Sequence, residues 1–205
     1  MRGTGSRSLI ELKSGSLINH QYHTLRTVFP NCEIILVCGS DWNKVREKCP
    51  QDIKIVINPL WETTNDVFSA TLALVGVLNR KILIVYGDLL FDAEFVRNAD
   101  LSKSSIYLHK DCQNDVGTIE NNGKIENLGF GLPNKWAQTL YITGNELKLT
   151  CQILKSPNIN KLLCHELINS VIDNGGIFNS IRNDGGKLLE IDNYKNLNLA
   201  KELVL

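Results

Sequence analysis

The run Ile82-Leu83-Ile84-Val85-Tyr86, closed by Gly87-Asp88-Leu89, constrains this chain more than any other segment. Five consecutive apolar residues without alternation describe a strand buried on both faces, as in a sheet covered by helices on either side. Two further runs have the same character. Residues 33–38 (EIILVC) stop at Gly39-Ser40, and residues 53–57 are rich in β-branched side chains. Between these runs lie stretches of helical period. In 17–29 the apolar positions are Leu17, Ile18, Tyr22, Leu25 and Val28; 42–48 follows Asp41, a suitable N-cap; and 64–78 completes the set. Residues 8–12 read as a short strand. This alternation predicts an α/β chain with a parallel sheet and helices on both faces.

The second half reads differently. Residues 105–109, 116–120 and 124–128 form short strand patterns, and Asn121-Asn122-Gly123 is a hairpin turn signal between the last two. Helices are expected over 146–154, 162–174 and 197–203, and a late strand over 187–191. No repeat, low-complexity tract or linker divides the chain, so residues 1–205 are expected to form one domain.

Charge narrows the choice of partners. Lys plus Arg and Asp plus Glu each number 22, so the formal net charge is zero. That gives no broad electrostatic case for nucleic acid or an anionic membrane. Small anions remain open, because backbone N–H groups and a few basic side chains hold phosphate without a basic surface. The six cysteines show no C-x-x-C spacing and several lie in apolar runs, which predicts buried thiols in a reducing compartment. No apolar stretch has the length of a membrane span, and no cleavable leader pattern is present, so the expected location is cytoplasmic.

Four segments can carry chemistry. In Gly3-Thr4-Gly5-Ser6-Arg7 two glycines allow backbone N–H groups to converge on a phosphate, and Ser6 and Arg7 add a hydroxyl and a fixed charge. A flexible glycine-rich end has the same composition. The segment lacks the third glycine and preceding strand of a dinucleotide fingerprint and the G-K-[ST] of a Walker loop. Asp88 stands just past the strongest strand, where ligands of open α/β sheets gather, and can offer hard oxygen to Mg²⁺; an Asp there can equally cap a turn. Residues 58–69 (NPLWETTNDVFS) run from a strand end into a helix start. Their Thr, Asn and Ser side chains cap helices, and can also read a base edge or ribose. In Glu190-Ile191-Asp192 both acids lie on one strand face and reach the same metal as Asp88 if the two strands are neighbours. An edge strand with solvated acids is the other reading.

In this order the segments resemble the sugar-phosphate and choline-phosphate nucleotidyltransferases, whose glycine signature contains G-x-G-[ST]-R. Residues 8–21 resemble the segment after that signature, and 58–69 is similar to the N-x-x-Y-x-x-T-N-N-x-x-S segment of the cytidylyltransferase-like branch. Tyr86-Gly87-Asp88 matches the magnesium-binding Asp, and Glu190-Ile191-Asp192 with Leu197 and Ala200 matches the closing V-D-T-x-x-D-L-x-x-A. The resemblance implies a three-layer α/β/α Rossmann-like fold with a mixed, mainly parallel sheet. It also implies transfer of a nucleoside monophosphate from an NTP, CTP or UTP favoured, to a sugar phosphate or choline-phosphate-like acceptor, with release of pyrophosphate. It gives Gly3, Gly5, Ser6 and Arg7 to the triphosphate, Thr64, Asn65 and Ser69 to the nucleotide pocket, and Asp88 with Asp192 to Mg²⁺. Arg7 and Asp88 are then catalytic. Trp136, Lys161 and Glu166 fall on the acceptor side, with Asn169 beside them, although Trp136 also suits a core and the other three share one helical face. The partners implied are the NTP and a small phosphorylated acceptor, without nucleic acid or membrane; self-association is open.

The match departs from the family at its start. Only Met1 and Arg2 precede Gly3, where the family has a buried strand, and Arg7 runs directly into Ser8-Leu9-Ile10, where the family continues to a Pro-Lys pair. Three readings follow: the true start lies upstream, the sheet is rearranged, or the phosphate loop is degraded, and the Lys has no counterpart unless Arg7 occupies its place. A nucleotide-binding relative without turnover is the second expectation. An unrelated α/β enzyme such as a dehydrogenase or methyltransferase is the third, although no strand here ends in the glycine-rich turn it needs.

Overall fold

In the computed structural model of the chain, residues 6–74, 77, 80–97, 100–110, 112 and 115–203 are described. Gly3 and Gly5 of the glycine-rich start lie outside them. A 3-10 turn, Arg7–Leu9, leads into the short hairpin of β1 (Glu11–Leu12) and β2 (Gly15–Ser16). The alternation that the apolar runs predict then appears: α1 (Leu17–Val28), β3 (Ile35–Cys38), α2 (Trp42–Lys48), β4 (Lys54–Ile57), α3 (Asp66–Ala73) and β5 (Ile82–Val85). Asp41 precedes α2 as expected, but with φ +56 and without a side-chain cap; its carboxylate meets Lys44 instead, at 3.0 Å.

Beyond Asp88 the chain forms β6 (Leu89–Phe91), α4 (Ala93–Arg97), β7 (Ser105–Leu108), β8 (Val116–Asn121), β9 (Lys124–Phe130) and β10 (Asn134–Ile142). α5 (Gly144–Ile153), a 3-10 turn at Ile159–Lys161, α6 (Cys164–Asp173), β11 (Asn179–Arg182), β12 (Leu188–Glu190) and α7 (Tyr194–Glu202) complete it. The Asn122-Gly123 turn closes the β8–β9 hairpin with φ +50 and +74, the left-handed pair that a two-residue hairpin loop requires.

The sheet is mixed, but the expectation that it is mainly parallel is corrected. Six strands run in the order β5-β10-β7-β11-β9-β8, and the pairings β3–β4 and β7–β11 are parallel. The pairings β5–β10, β7–β10, β8–β9, β8–β10, β9–β11 and β6–β12 are antiparallel. The alternation rule assumes that the three front strands lie side by side. Here β5 takes β10 as its neighbour, and β3 with β4 forms a separate pair.

Side-chain alternation along the sheet sorts the core onto two faces. Leu83, Val85, Tyr107, Ala137 and Tyr141 pack with Leu25 and Val28 of α1 and with Phe95 and Val96 of α4. Ile82, Ile84, Ile106, Leu108, Leu140 and Ile142 pack with Val67 and Phe68 of α3, Leu147 of α5 and Leu167, Ile168 and Val171 of α6. Each fully buried side chain of this size contributes about 1.5–3 kcal/mol. The period-2 alternation therefore fixes which way β5, and the Asp88 loop behind it, must face.

Helix α3 also packs on β3, and an ion pair between Glu33 and Arg80 at 3.6 Å joins the residues leading into β3 and β5. Val67 and Phe68 of the same helix share a core cluster with Ile82 and Ile84 of β5. Among the described residues no strand pairs with the second edge of β3 or β5. No helix among them is long and apolar enough to cross a membrane, and Cys32, Cys38, Cys49, Cys151 and Cys164 are free thiols.

Candidate active site at the Asp88 loop

Two strands bring the acidic segments together. β12 pairs with β6 so that Glu190 lies opposite Leu89, and the N–H of Ile191 donates to the carbonyl of Asp88 at 2.9 Å. Ile191 is fully buried, which turns Glu190 and Asp192 to the other side. β12 does not lie beside β5, the strand that ends at Asp88, as the sequence reading required; it pairs antiparallel with β6, the strand that follows Asp88. Helix α1 fixes the loop from below: Gln21, buried, donates from Nε2 to the carbonyls of Tyr86 at 3.0 Å and Leu89 at 2.7 Å.

Arg7 reaches this place from the chain start, its Nη1 donating to Asp88 Oδ2 in an ion pair. Beside it Ser6 Oγ and Ser8 Oγ share a hydrogen bond of 3.0 Å. Asp88 is largely covered, with 15% of its side chain exposed. Glu190 Oε1 accepts from Gln138 Nε2 at 2.7 Å. Burial pushes the Glu190 carboxyl above the ordinary carboxylate range, opposed by the Gln138 hydrogen bond and reinforced by the charges of Asp88 and Asp192. Asp192 is exposed, and its Oδ1 accepts from Asn193 at 2.6 Å and Asn196 at 3.0 Å.

The donor set suits a hard cation. Asp88 Oδ1, Glu190 Oε2 and Gln138 Oε1 are buried, and among the described residues none of them receives a hydrogen bond. Orphaned acceptors of this kind cost about 1–3 kcal/mol each unless something supplies positive charge, and oxygen is what Mg²⁺ prefers. Among the described residues no group of three or more His, Cys, Asp and Glu side chains could hold a metal ion. A metal here would therefore rest on a mixed set of carboxylate and amide oxygens.

No family model matches the sequence, and neither does any curated protein. Solved structures do match. The CTP:phosphocholine cytidylyltransferase of Streptococcus pneumoniae is similar with a TM-score of 0.74 at 17% identity, over 98% of this chain and 90% of its own. The inositol-1-phosphate CTP transferase of T. maritima gives 0.74 at 16%, over 100% and 91%. The nucleoside-diphosphate-sugar pyrophosphorylase of Vibrio cholerae RC9 gives 0.74 at 14%, over 98% and 93%.

The chain has the nucleotidyltransferase fold.

Within that fold the 58–69 segment forms one network. Asn58, buried, donates from Nδ2 to Thr64 Oγ1 and Ser69 Oγ, each at 3.1 Å, and accepts from the N–H of Leu60 at 2.9 Å. Thr64 Oγ1 donates to the carbonyl of Leu60 at 2.8 Å, so Thr64 and Ser69 are brought together and their oxygens already serve the turn. Asn65 leans outward, donating to the carbonyl of Lys161 at 2.6 Å. Asp66 accepts from Tyr86 Oη, which ties the start of α3 to the end of β5. Burial raises the Tyr86 hydroxyl well above its ordinary range, helped by Cys164 and Asp66.

The residues expected on the acceptor side do not form one group. Trp136 is packed in the core, its Nε1 donating to the carbonyl of Thr139 at 3.2 Å and its ring edge-on to Tyr86 at 5.8 Å. Glu166 accepts from the N–H of Leu163 at 2.8 Å and so caps α6. Asn169 clamps Leu128 through both its amide atoms, each at 2.8 Å. Lys161 is exposed in the turn before α6 and keeps a free ammonium among the described contacts. Sequence reasoning gave no separate role to Gln21 and Asn58, although both lie in segments it marked, 8–21 and 58–69, and it missed Gln138. The first could have been suspected as a polar residue on the apolar stripe of α1; Gln138 left no such signal.

Proposed function

We propose that this chain is a nucleotidyltransferase that moves a nucleoside monophosphate from an NTP, with CTP or UTP favoured, to a sugar phosphate or choline-phosphate-like acceptor and releases pyrophosphate. The observation that carries the reading is the meeting of Arg7 with Asp88 beside Glu190 and Asp192, at the end of β5 in this fold. One fixed positive charge and several hard oxygens at a strand end can neutralise a polyphosphate and hold the cation that accompanies it. The acceptor phosphate is already anionic, so catalysis reduces to positioning and charge neutralisation.

In this reading Arg7 and Ser6, with Gly3 and Gly5, bind the triphosphate. Asp88 and Asp192 hold Mg²⁺, which supplies charge neutralisation when bound. Thr64, Asn65 and Ser69 border the nucleotide, and Lys161 is the residue of the acceptor-side set whose charge remains free to meet a phosphate. The three-layer α/β/α arrangement, a cytoplasmic location and a lack of nucleic-acid or membrane partners belong to the same proposal. The test is Mg²⁺-dependent pyrophosphate release from CTP and UTP over a panel of sugar, polyol and choline phosphates. No turnover with any pair overturns the catalytic reading.

One observation favours a second reading, a nucleotide-binding relative without turnover. The Arg7 guanidinium rests on Asp88 itself, so the charge that would meet the triphosphate neutralises the carboxylate that would meet the cation. Calorimetry showing CTP or UTP binding without pyrophosphate release would select it.

A further inference from the structure

Gln138 is the one residue at the Asp88 loop whose backbone and side chain are both unusual. It lies on β10, where the register with β7 shifts between Trp136 and Leu140, and its φ is +49. A residue with a side chain seldom adopts that conformation, and bulges of this kind re-aim side chains next to functional sites. Its neighbour Thr139 pairs with Val85, so Gln138 comes level with Tyr86, where β5 gives way to Gly87-Asp88.

The side chain is only 8% exposed. Its amide orientation follows from chemistry: a carboxylate only accepts, so the nitrogen must face Glu190. The other amide atom, Oε1, is buried as well, and among the described residues it has no donor. Glu190 Oε2 and Asp88 Oδ1 are orphaned in the same way. A residue serving only to satisfy Glu190 would not need a left-handed backbone or bring a further unpaired acceptor. With Arg7 donating to Asp88 Oδ2 and Gln138 Nε2 to Glu190 Oε1, three buried acceptor oxygens are still left over, hard donors of the kind a divalent cation takes.

We infer that Gln138 belongs to the divalent-cation site: its Nε2 fixes the Glu190 carboxylate, and its Oε1 is an oxygen for the cation alongside Asp88 and Glu190. The inference rests on the proposed cation at Asp88 and adds Glu190 and Gln138 to the pair Asp88 and Asp192.

Direct binding of Mn²⁺ alone, followed by electron paramagnetic resonance on the full chain, tests it without reference to turnover. Gln138→Gly is expected to weaken Mn²⁺ binding by about 10–100-fold, the range for loss of a residue that orients a metal ligand. Glycine accepts φ +49 without strain, so that variant keeps the backbone. Gln138→Glu sets a second carboxylate against Glu190; its melting temperature should fall without cation and recover with Mn²⁺ by more than the wild type gains. If Gln138→Gly does not fold, Gln138→Asn decides: Asn tolerates the left-handed backbone and withdraws the amide by one methylene, so wild-type Mn²⁺ affinity in that variant overturns the inference. Wild-type affinity in Gln138→Gly, with binding lost in Asp88→Asn, overturns this inference alone. Absence of Mn²⁺ binding by the wild type overturns the cation reading as well.

Discussion

Gln21 Nε2 donates to the carbonyl of Leu89 at 2.7 Å, and a second hydrogen bond from the same nitrogen reaches the carbonyl of Tyr86 at 3.0 Å. One buried side chain on α1 therefore holds the loop on both sides of Gly87-Asp88. The helix that covers one face of β5 also sets the place of the candidate catalytic carboxylate, so packing and site geometry are linked through a single residue.

Gln21→Leu keeps the volume and removes the donor. Two carbonyls then lose their buried partner, at about 1–3 kcal/mol for each one left unsatisfied. Urea unfolding should show that loss, and Asp88-dependent cation binding should weaken with it. Wild-type stability in Gln21→Leu would show that the loop is held by β6–β12 pairing instead.

Glu190 gives a pH prediction for the cation-free protein. Its folded-state carboxyl is raised above the ordinary carboxylate range, chiefly by burial. A raised carboxyl binds its proton more tightly when folded than when unfolded. Its favourable contribution is therefore fully present below about pH 4.5 and is lost as pH rises through the folded value. Glu190→Gln removes that loss. In EDTA the variant should melt above the wild type at pH 7, and the gap should close as pH falls to 4. Mg²⁺ should stabilise the wild type more than the variant. A gap independent of pH would assign the effect to packing.

The front half of the fold is legible because each element there obeys one period. α2 occupies the expected 42–48, and β3, β4 and β5 lie within the expected apolar runs. β10 was invisible although it is the longest strand. Its alternation breaks at the bulge between Trp136 and Leu140, and the polar Gln138 and Thr139 face inward there. The same local break hid Gln138 as a site residue. Asp88, Glu190 and Asp192 were legible because each stands at the end of an apolar run. Glu166 and Thr64 show the opposite case: their residue types suit ligand contact, yet each oxygen also closes a nearby turn or helix end, and local hydrogen bonds take them first.

Arg7 is the only described basic side chain of the glycine-rich start; it contacts Asp88 and keeps 41% of its side chain exposed. A guanidinium matches two phosphate oxygens at once, whereas an ammonium is a point charge. If Arg7 meets the triphosphate, Arg7→Ala should lower kcat/KM for the NTP by about 10²–10³-fold, the scale for one lost charge-stabilising donor. Arg7→Lys should restore part of it. Unchanged kinetics in Arg7→Ala, with Asp88→Asn inactive, would confine Arg7 to neutralising Asp88.

The unpaired edges of β3 and β5 lead to a last prediction. β7, paired on both sides, buries all four of its residues, whereas every residue of the equally apolar β5 remains half-exposed. α3 packs on β3 and shares a core cluster with β5, the Glu33–Arg80 pair joins their approaches, and among the described residues no strand pairs with the second edge of either. Such edges accept a further strand. A five-residue Val/Ile strand fused ahead of Met1 is therefore expected to raise the melting temperature by about 2–4 °C for each kcal/mol gained. Placing Pro at its centre removes a ladder donor and should abolish the gain. An equal rise with the Pro version would attribute the effect to added apolar mass, while a rise lost with Pro would show that β3 and β5 take up the strand by hydrogen bonding.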